Sequence, residues 1–429
     1  MPPLAPERRA EVSWALYDWA NSAFATTVMA GFFPVFFKQF WAADLAPTES
    51  SFQLGLANSL ASLVVLGLAP VIGAVADRGG LKLRLLLVFT ALGAAMTGGL
   101  TLVAQGNWGM ALLYYGLAQL GFSSGMVCYD ALLLDVAPAR RWDAVSALGY
   151  AMGYLGGGVL FAFNVLTVIH PQWFGFADAQ GAVRFAFLTV AVWWALFAIP
   201  LFLFVREKTP ARPGTGATLR EAVAQLADTF RHIRAVRPAF LFLLAYWLYI
   251  DGVDTVVRMA VDYGLSLGFP ASGLMTALLL TQFVGFPAAL AFGRIGERWG
   301  PKTGIGIAIL VYLLTIAWAS QMQTQAEFYA LAAVIGLVQG GIQSLSRSLF
   351  ARLVPPGRAG EFFGFYNMLG KFAAVIGPAL MGWVGVLTGS PRIAILSVGV
   401  LFLLGAFVLH FVDEGAVPEV IAPDPRTSR

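Results

Sequence analysis

The sequence predicts an all-α integral membrane protein, with twelve transmembrane helices in two pseudo-symmetric six-helix bundles. Three observations carry this. Of the 429 residues, 59% are hydrophobic and only 12% are charged, with a mean hydropathy of +0.75. Soluble domains carry about 25% charged residues, so this chain could not cover a water-facing surface. Apolar runs long enough to cross a bilayer, roughly 20 residues each, occur twelve times. A polar pattern after the second run returns 220 positions later, after the eighth.

The runs fall at 13–40, 52–76, 85–104, 109–136, 145–169 and 184–205, then at 239–266, 270–293, 303–320, 327–353, 362–387 and 392–412. They are too long and too evenly apolar for barrel strands, and lipid leaves helices as the other means of satisfying the backbone. The expected organisation is a first bundle over 1–205, a central loop over 206–237, a second bundle over 238–412 and a tail over 413–429. The first run exceeds a signal-peptide h-region in length and is expected to remain as a span.

Lysine and arginine set the orientation. With the N-terminus inside, the inner segments hold 21 of them and the outer side three, Lys38, Arg184 and Arg392. Both termini and the central loop are therefore expected on the cytoplasmic side, in a bacterial inner membrane. Thr218 to Arg234 reads as an amphipathic helix with Leu219, Val223, Leu226 and Phe230 on one face. It fits a surface-lying helix or a plain linker equally well.

The repeat is chemically specific. Gly73, Asp77, Arg78, Gly80 and Lys82 return as Gly293, Glu297, Arg298, Gly300 and Lys302. Val136-Ala137-Pro138 with Arg141 is echoed by Leu353-Val354-Pro355 with Arg358. Glycines permit close helix approach, the acid can cap or pair across a moving interface, and the bases would hold the loop at the anionic leaflet. A gate and a mere topology signal both account for these residues.

This Gly-x-x-x-acid-Arg-x-Gly-x-Lys pattern resembles the signature of the major facilitator superfamily, present here twice. Further segments are similar to its vacuole-effluxer branch, which includes the fungal autophagy-related vacuolar amino-acid effluxers and bacterial relatives. They are Tyr17-Asp18-Trp19-Ala20-Asn21-Ser22-Ala23-Phe24, Tyr249-Ile250-Asp251-Gly252-Val253, Gln339 to Ser348, Glu361 to Tyr366 and Gly370-Lys371-Phe372. The resemblance covers nearly the whole chain. It implies the major facilitator fold, with the first, fourth, seventh and tenth helices lining a central cavity. Two departures stand out. Many proton-coupled members carry an arginine early in the fourth span, where this chain has Tyr114 to Gln119. The antiporter pattern ends the fifth span in Gly-Pro, whereas Gly149, Gly153, Gly156, Gly157 and Gly158 are followed by no such proline. The Gly149/Gly153/Gly157 face reads as tight helix packing.

Charges inside the spans are the sharpest signal, since each costs about 2.5–3.5 kcal/mol at a helix centre. Asp251, Asp254, Arg258 and Asp262 form one stripe, with Arg258 a turn from Asp254 and able to pair with it. Asp18, Asn21 and Ser22 make a second stripe. Asp130 and Arg347 stand 217 positions apart, the offset of the Pro138–Pro355 echo, so the repeat sets an acid and a base at equivalent depths. Lys371 shares a face with Asn367. The candidate solute or proton residues are thus Asp18, Asn21, Asp130, Asp251, Asp254, Arg258, Arg347 and Lys371. An α-amino acid needs an anion for its ammonium and a cation for its carboxylate, and this set supplies both. A network of internal ion pairs, or a latch at Asp130 and Arg347, is the competing account.

Trp14, Trp19, Trp41, Trp108 and Trp173 lie near span ends and are expected in an interfacial belt. Tyr150, Tyr154, Tyr246 and Trp247 would line a pocket or simply pack. No catalytic constellation occurs, and no phosphate loop marks an ATP-driven pump. One cysteine, Cys128, and three scattered histidines offer no metal-ligand spacing. Basic residues are confined largely to loops, which argues against nucleic-acid binding. No cofactor and no obligate protein partner are expected, only the bilayer, a small solute and protons. The implied function is secondary or facilitated transport, with amino-acid efflux first. Export of a drug or cell-wall fragment, or a receptor or lipid-handling role on the same fold, are the other readings.

Overall fold

The structure, a computed structural model, describes residues 5–208, 231, 233–266, 272–372 and 376–414. Among these residues every regular element is helical, and twelve stretches are long and apolar enough to cross a membrane. They are α1 Pro6–Trp41, α2 Phe52–Asp77, α3 Lys82–Leu102, α4 Trp108–Val136, α5 Ala139–Ile169 and α6 Ala179–Phe204. The second set is α7 Arg237–Ala260, α8 Thr276–Trp299, α9 Pro301–Ala319, α10 Gln325–Leu353, α11 Ala359–Thr388 and α12 Pro391–His410. Helical structure in α7 continues to Ser266. Within α11 the described helix comprises Ala359–Phe372 and Ile376–Thr388. Thr218 to Phe230, most of the expected amphipathic helix, lie outside the described residues.

Local chemistry sets many of the boundaries. Asn107, Asp178 and Ser390 accept from the first-turn amides of α4, α6 and α12, and Thr324 with Glu327 forms a reciprocal capping box on α10. Gly80 and Gly300 of the repeated pattern adopt φ of 57° and 82°, where a side chain would be strained. That is why both copies need glycine there. The polar stretch before the first apolar run is helical from Pro6, and buried Glu11 pairs with Arg141 at 2.8 Å. From Phe24 to Phe32 the helix widens into π-helical turns.

Glycine lets the helices approach. A Cβ on Gly153 would lie 2.6 Å from the Ser22 hydroxyl, and one on Gly156 2.6 Å from the Trp19 carbonyl, so α5 seats directly on α1. This is the tight packing the Gly149/Gly153/Gly157 spacing predicts. Gly73 abuts Gly360 between α2 and α11, and Gly293 abuts Ala147 between α8 and α5, so each copy of the repeat supplies a close contact between bundles. These contacts lie on the face bearing the loops after α2 and α8, called here the basic face.

An aromatic cluster of Phe24, Phe33, Trp41, Tyr115, Phe187 and Trp194 fills the first bundle away from the basic face, and a larger apolar core runs through both bundles. Leu203, Val386 and Phe407 are exposed, as expected of a lipid-facing perimeter. Trp14 and Trp41 depart from the expected belt: both are fully buried. Their indole N–H groups donate to the carbonyls of Tyr129 and Val103, at 3.0 and 3.3 Å, so the polar handle is satisfied internally. Trp173, by contrast, is exposed.

A Cβ on Gly121 would sit 2.6 Å from the Phe89 carbonyl and 2.7 Å from the Gly93 amide, whereas one on Gly116 meets nothing within 4 Å. Gly121→Val is expected to destabilise the folded protein by about 1–3 kcal/mol, seen as a lowered melting temperature in detergent, while Gly116→Val melts like the parent.

Candidate functional site

Three helices of the first bundle and two of the second meet around one buried side chain. Arg347 of α10 is fully buried. Its guanidinium lies 3.0 Å from Asp130 of α4 and 3.5 Å from Asp18 of α1. It also donates to the hydroxyl and carbonyl of Ser146 on α5, at 2.9 and 3.0 Å. The rings of Trp14 and Tyr150 flank it at 4.7 and 4.4 Å. The carboxylates are held in turn: the Tyr129 hydroxyl donates to Asp18 at 2.8 Å, and the Asn367 amide of α11 donates to Asp130 at 2.9 Å. Asn21 points elsewhere, its amide lying against the Met126 sulfur at 3.4 Å. Asp18 and Asp130 belong to the first bundle, and Arg347 and Asn367 to the second, so the hub ties the two together.

Toward the other face the charges are less consumed. Asp254 interacts electrostatically with Arg258 and then Lys371, and Lys371 also with Asp130. Yet among the described residues none of Asp254, Arg258 and Lys371 forms an ion pair within 4.0 Å, so the expected Asp254–Arg258 pair does not close. Arg258 and Lys371 instead approach α4, and the region between α4, α7 and α11 is called here the groove. Lys371 stands 5.8 Å over the Phe122 ring, and Arg258 is near Tyr115, whose hydroxyl donates to Asn58. Buried polar atoms of Gln119 and Ser123 on the same α4 wall have no partner among the described residues. Sequence reading passed over Tyr115, Gln119 and Ser123, although their spacing from Asp130 at about 100° per residue puts them on its face.

Asp251 separates from its neighbours on the stripe. It is buried, accepts from the Gly377 amide at 3.0 Å and from Thr255 at 3.4 Å, and so caps the second segment of α11. Its other oxygen has no partner among the described residues. The side chain of Asp262 lies outside them.

The repeated pattern does two different things. Asp77 accepts from the amides of Gly360 and Glu361 at 2.8 and 2.9 Å, capping α11 across the bundle interface. Glu297, its counterpart, is exposed and caps nothing among the described residues. On that side the closure is an ion pair, Arg352 to Asp143 at 2.6 Å. The lysines do not reach a leaflet as expected. Lys82 is buried and bonds Asp135 at 2.9 Å, because two acids from neighbouring elements surround it. Lys302 donates to the carbonyls of His410 and Val412 at the end of α12. Arg298 is exposed, while the Arg78 side chain lies outside the described residues. No group of His, Cys, Asp and Glu able to hold a metal ion occurs among the described residues.

Comparison with known proteins gives this geometry a lineage. Residues 45–137 and 135–416 match the family described as "Vacuole effluxer Atg22 like". The chain is 37% identical over 412 residues to "Uncharacterized MFS-type transporter YxiO" of Bacillus subtilis, covering 96% of both chains. It is 27% identical to autophagy-related protein 22-1 of Aspergillus niger, over 63% of this chain and 47% of that protein. Its fold is similar to that of the human organic anion transporter MFSD10, with a TM-score of 0.77 at 16% identity over 95% of this chain and all of that one. It is also similar to the proton:xylose symporter XylE, with a TM-score of 0.70 at 12% identity over 95% of this chain and 95% of that one. The chain therefore belongs to the Atg22-like vacuole-effluxer family within the major facilitator superfamily, and is a membrane transporter rather than an enzyme.

Proposed function

We propose that the chain exports a small zwitterion of the α-amino-acid type across a bacterial cytoplasmic membrane. The two bundles rock about the buried hub, with the basic face inside. The observation that carries this is the order of charges along the interface: Asp18, Arg347, Asp130, Lys371, Asp254 and Arg258 alternate in sign, three acids against three bases, with Asp251 set apart as a helix cap. A zwitterion entering the groove leaves that balance untouched. Its carboxylate would lie between Arg258 and Lys371, and its ammonium against Asp254. Opposite charges 4 Å apart attract by about 4 kcal/mol at an effective dielectric of about 20, enough for an occupant to compete with water there.

The same arrangement suits alternating access. In this structure the basic face is closed by the Arg347 hub, the Asp77 cap and the Arg352–Asp143 pair. Opening it parts Asp18 and Asp130 from Arg347. Losing one partner of a buried pair costs about 3–5 kcal/mol. That cost gives protons or solute ammonium a reason to bind the two acids as the bundles separate.

The test is counterflow in proteoliposomes loaded with mixed amino acids, following uptake of labelled ones with and without a pH gradient. Saturable exchange is expected. Asp254→Asn should lower it at least tenfold while the purified variant keeps its melting temperature. Normal exchange in that variant would remove the groove from the mechanism, and no exchange with any amino acid would remove the zwitterion.

A further inference from the structure

The duplication extends beyond the glycine pattern. On the face opposite the basic one, Arg184 of α6 donates to the carbonyls of Thr101 and Val103 at the end of α3, at 3.0 and 3.4 Å. In the second bundle Arg392 of α12 donates to the carbonyls of Ser320 and Met322 just past α9, at 3.0 and 2.8 Å. At the basic face a glutamate follows each of the same two helices. Glu207, beyond α6, accepts from the Leu83 amide at 2.8 Å. Glu414, beyond α12, accepts from the Lys302 amide at 3.3 Å. Leu83 and Lys302 are the second residues of α3 and α9.

The signs fit the helix ends they meet. The first amides of a helix and its last carbonyls lack partners within it, and its dipole favours an anion at the start and a cation at the end. In each bundle, then, charges on or just beyond the sixth helix hold the third at both ends. Among the described residues no hydrogen bond or ion pair joins α3, α6, α9 or α12 to the opposite bundle. The Arg347 hub, the Asp77 cap and the Arg352–Asp143 pair all come from other helices. The glutamate of the first bundle reaches further. Beside it the Lys208 amide donates to Asp135 at 3.1 Å, and Asp135 accepts from Lys82 at 2.9 Å. Lys82 stands 3.9 Å from Asp77, the carboxylate that caps α11. The first residues of the central loop are thereby linked to the closure of the basic face. The second bundle has no such branch, since Lys302 turns to the carbonyls of His410 and Val412.

We propose that Arg184, Glu207, Arg392 and Glu414 are clasps that make the third and sixth helices of each bundle one rigid frame, and that Glu207 also positions the closure of the basic face. The coupling runs through contiguous bonded groups, Glu207 and Lys208 to Leu83, Asp135 and Lys82, then to Asp77. Loosening Glu207 is therefore felt across the interface at Gly360 and Glu361, which it does not touch, whereas loosening Glu414 is felt at α9 alone. The device serves moving bundles whatever solute they carry, so its test stands apart from counterflow.

Amide hydrogen exchange on the purified protein in nanodiscs, read by mass spectrometry of overlapping peptides, is the test. In the parent, Leu83 and Lys302 should exchange as slowly as mid-helix amides, whereas first-turn amides without a cap exchange freely. Glu207→Ala should speed exchange at least tenfold at the start of α3 and several-fold at Gly360 and Glu361, leaving the start of α9 unchanged. Glu414→Ala should speed the start of α9 alone. Glu207→Gln, which keeps an acceptor oxygen, should restore most of the protection, and Arg184→Gln and Arg392→Gln should loosen the last turns of α3 and α9. Leu83→Pro removes the donor of the same bond at a position where a helix tolerates proline. It should reproduce the effect at Gly360 and Glu361, so a folding failure of Glu207→Ala cannot mask the outcome. Free exchange at Leu83 and Lys302 in the parent, or unchanged exchange at Gly360 and Glu361 in either folded variant, would overturn the proposal.

Discussion

The structure depends on one buried arginine. Arg347 is contacted by two acids and a serine of the other bundle and flanked by aromatic rings. A guanidinium suits the position because its planar fork serves several acceptors at once and stays charged when buried. Around it the helices must approach closely, and the glycines of α5 permit this: a Cβ on Gly149 would lie 2.6 Å from the Asp18 carboxylate and 3.1 Å from Arg347 itself. Sequence, packing and charge therefore converge on one point of the bundle interface. An interaction so costly to break and so exposed to bundle motion makes that interface bistable rather than soft.

Two closures flank the hub on the basic face, and they are chemically unequal. On one side a carboxylate caps a helix through backbone amides, a contact that glycine at 360 permits by exposing the first turn of α11. On the other an arginine meets an aspartate, Asp143, near the start of α5. The duplicated pattern thus kept its glycines, which the backbone geometry demands, while its charged positions diverged. Salt should weaken the partly exposed Arg352–Asp143 pair more than the buried Asp77 cap.

Much of the fold was legible because bilayer physics is severe. Length and hydropathy located all twelve spans, and the repeat offset placed Asp130 and Arg347 at one depth, where the structure has them in contact. What stayed hidden depended on partners far apart in the chain. Lys82 looked like a leaflet anchor until Asp135, on another helix, enclosed it. Trp14 and Trp41 sat near span ends yet turned inward, because backbone carbonyls were within reach of their indoles. Asp251 lay on the same stripe as Asp254, but only the position of Gly377 reveals it as a helix cap. Tyr150 and Tyr154, read from the sequence as pocket lining or ordinary packing, do line a cavity between the bundles, whereas the glutamines beside them, scattered over two helices, carried no signal.

Whether Arg347 holds the two bundles together is read most directly as a distance across the basic face. Spin labels would replace exposed Arg84 on the first bundle and Glu297 on the second, in a Cys128→Ser background, and pulsed electron resonance would give the distance distribution. Arg347→Gln is expected to shift the population toward longer separations, because it leaves Asp18 and Asp130 without their cation, and adding Asp18→Asn and Asp130→Asn should bring the short population back. An unchanged distribution in Arg347→Gln would contradict the claim that this arginine holds the bundles together.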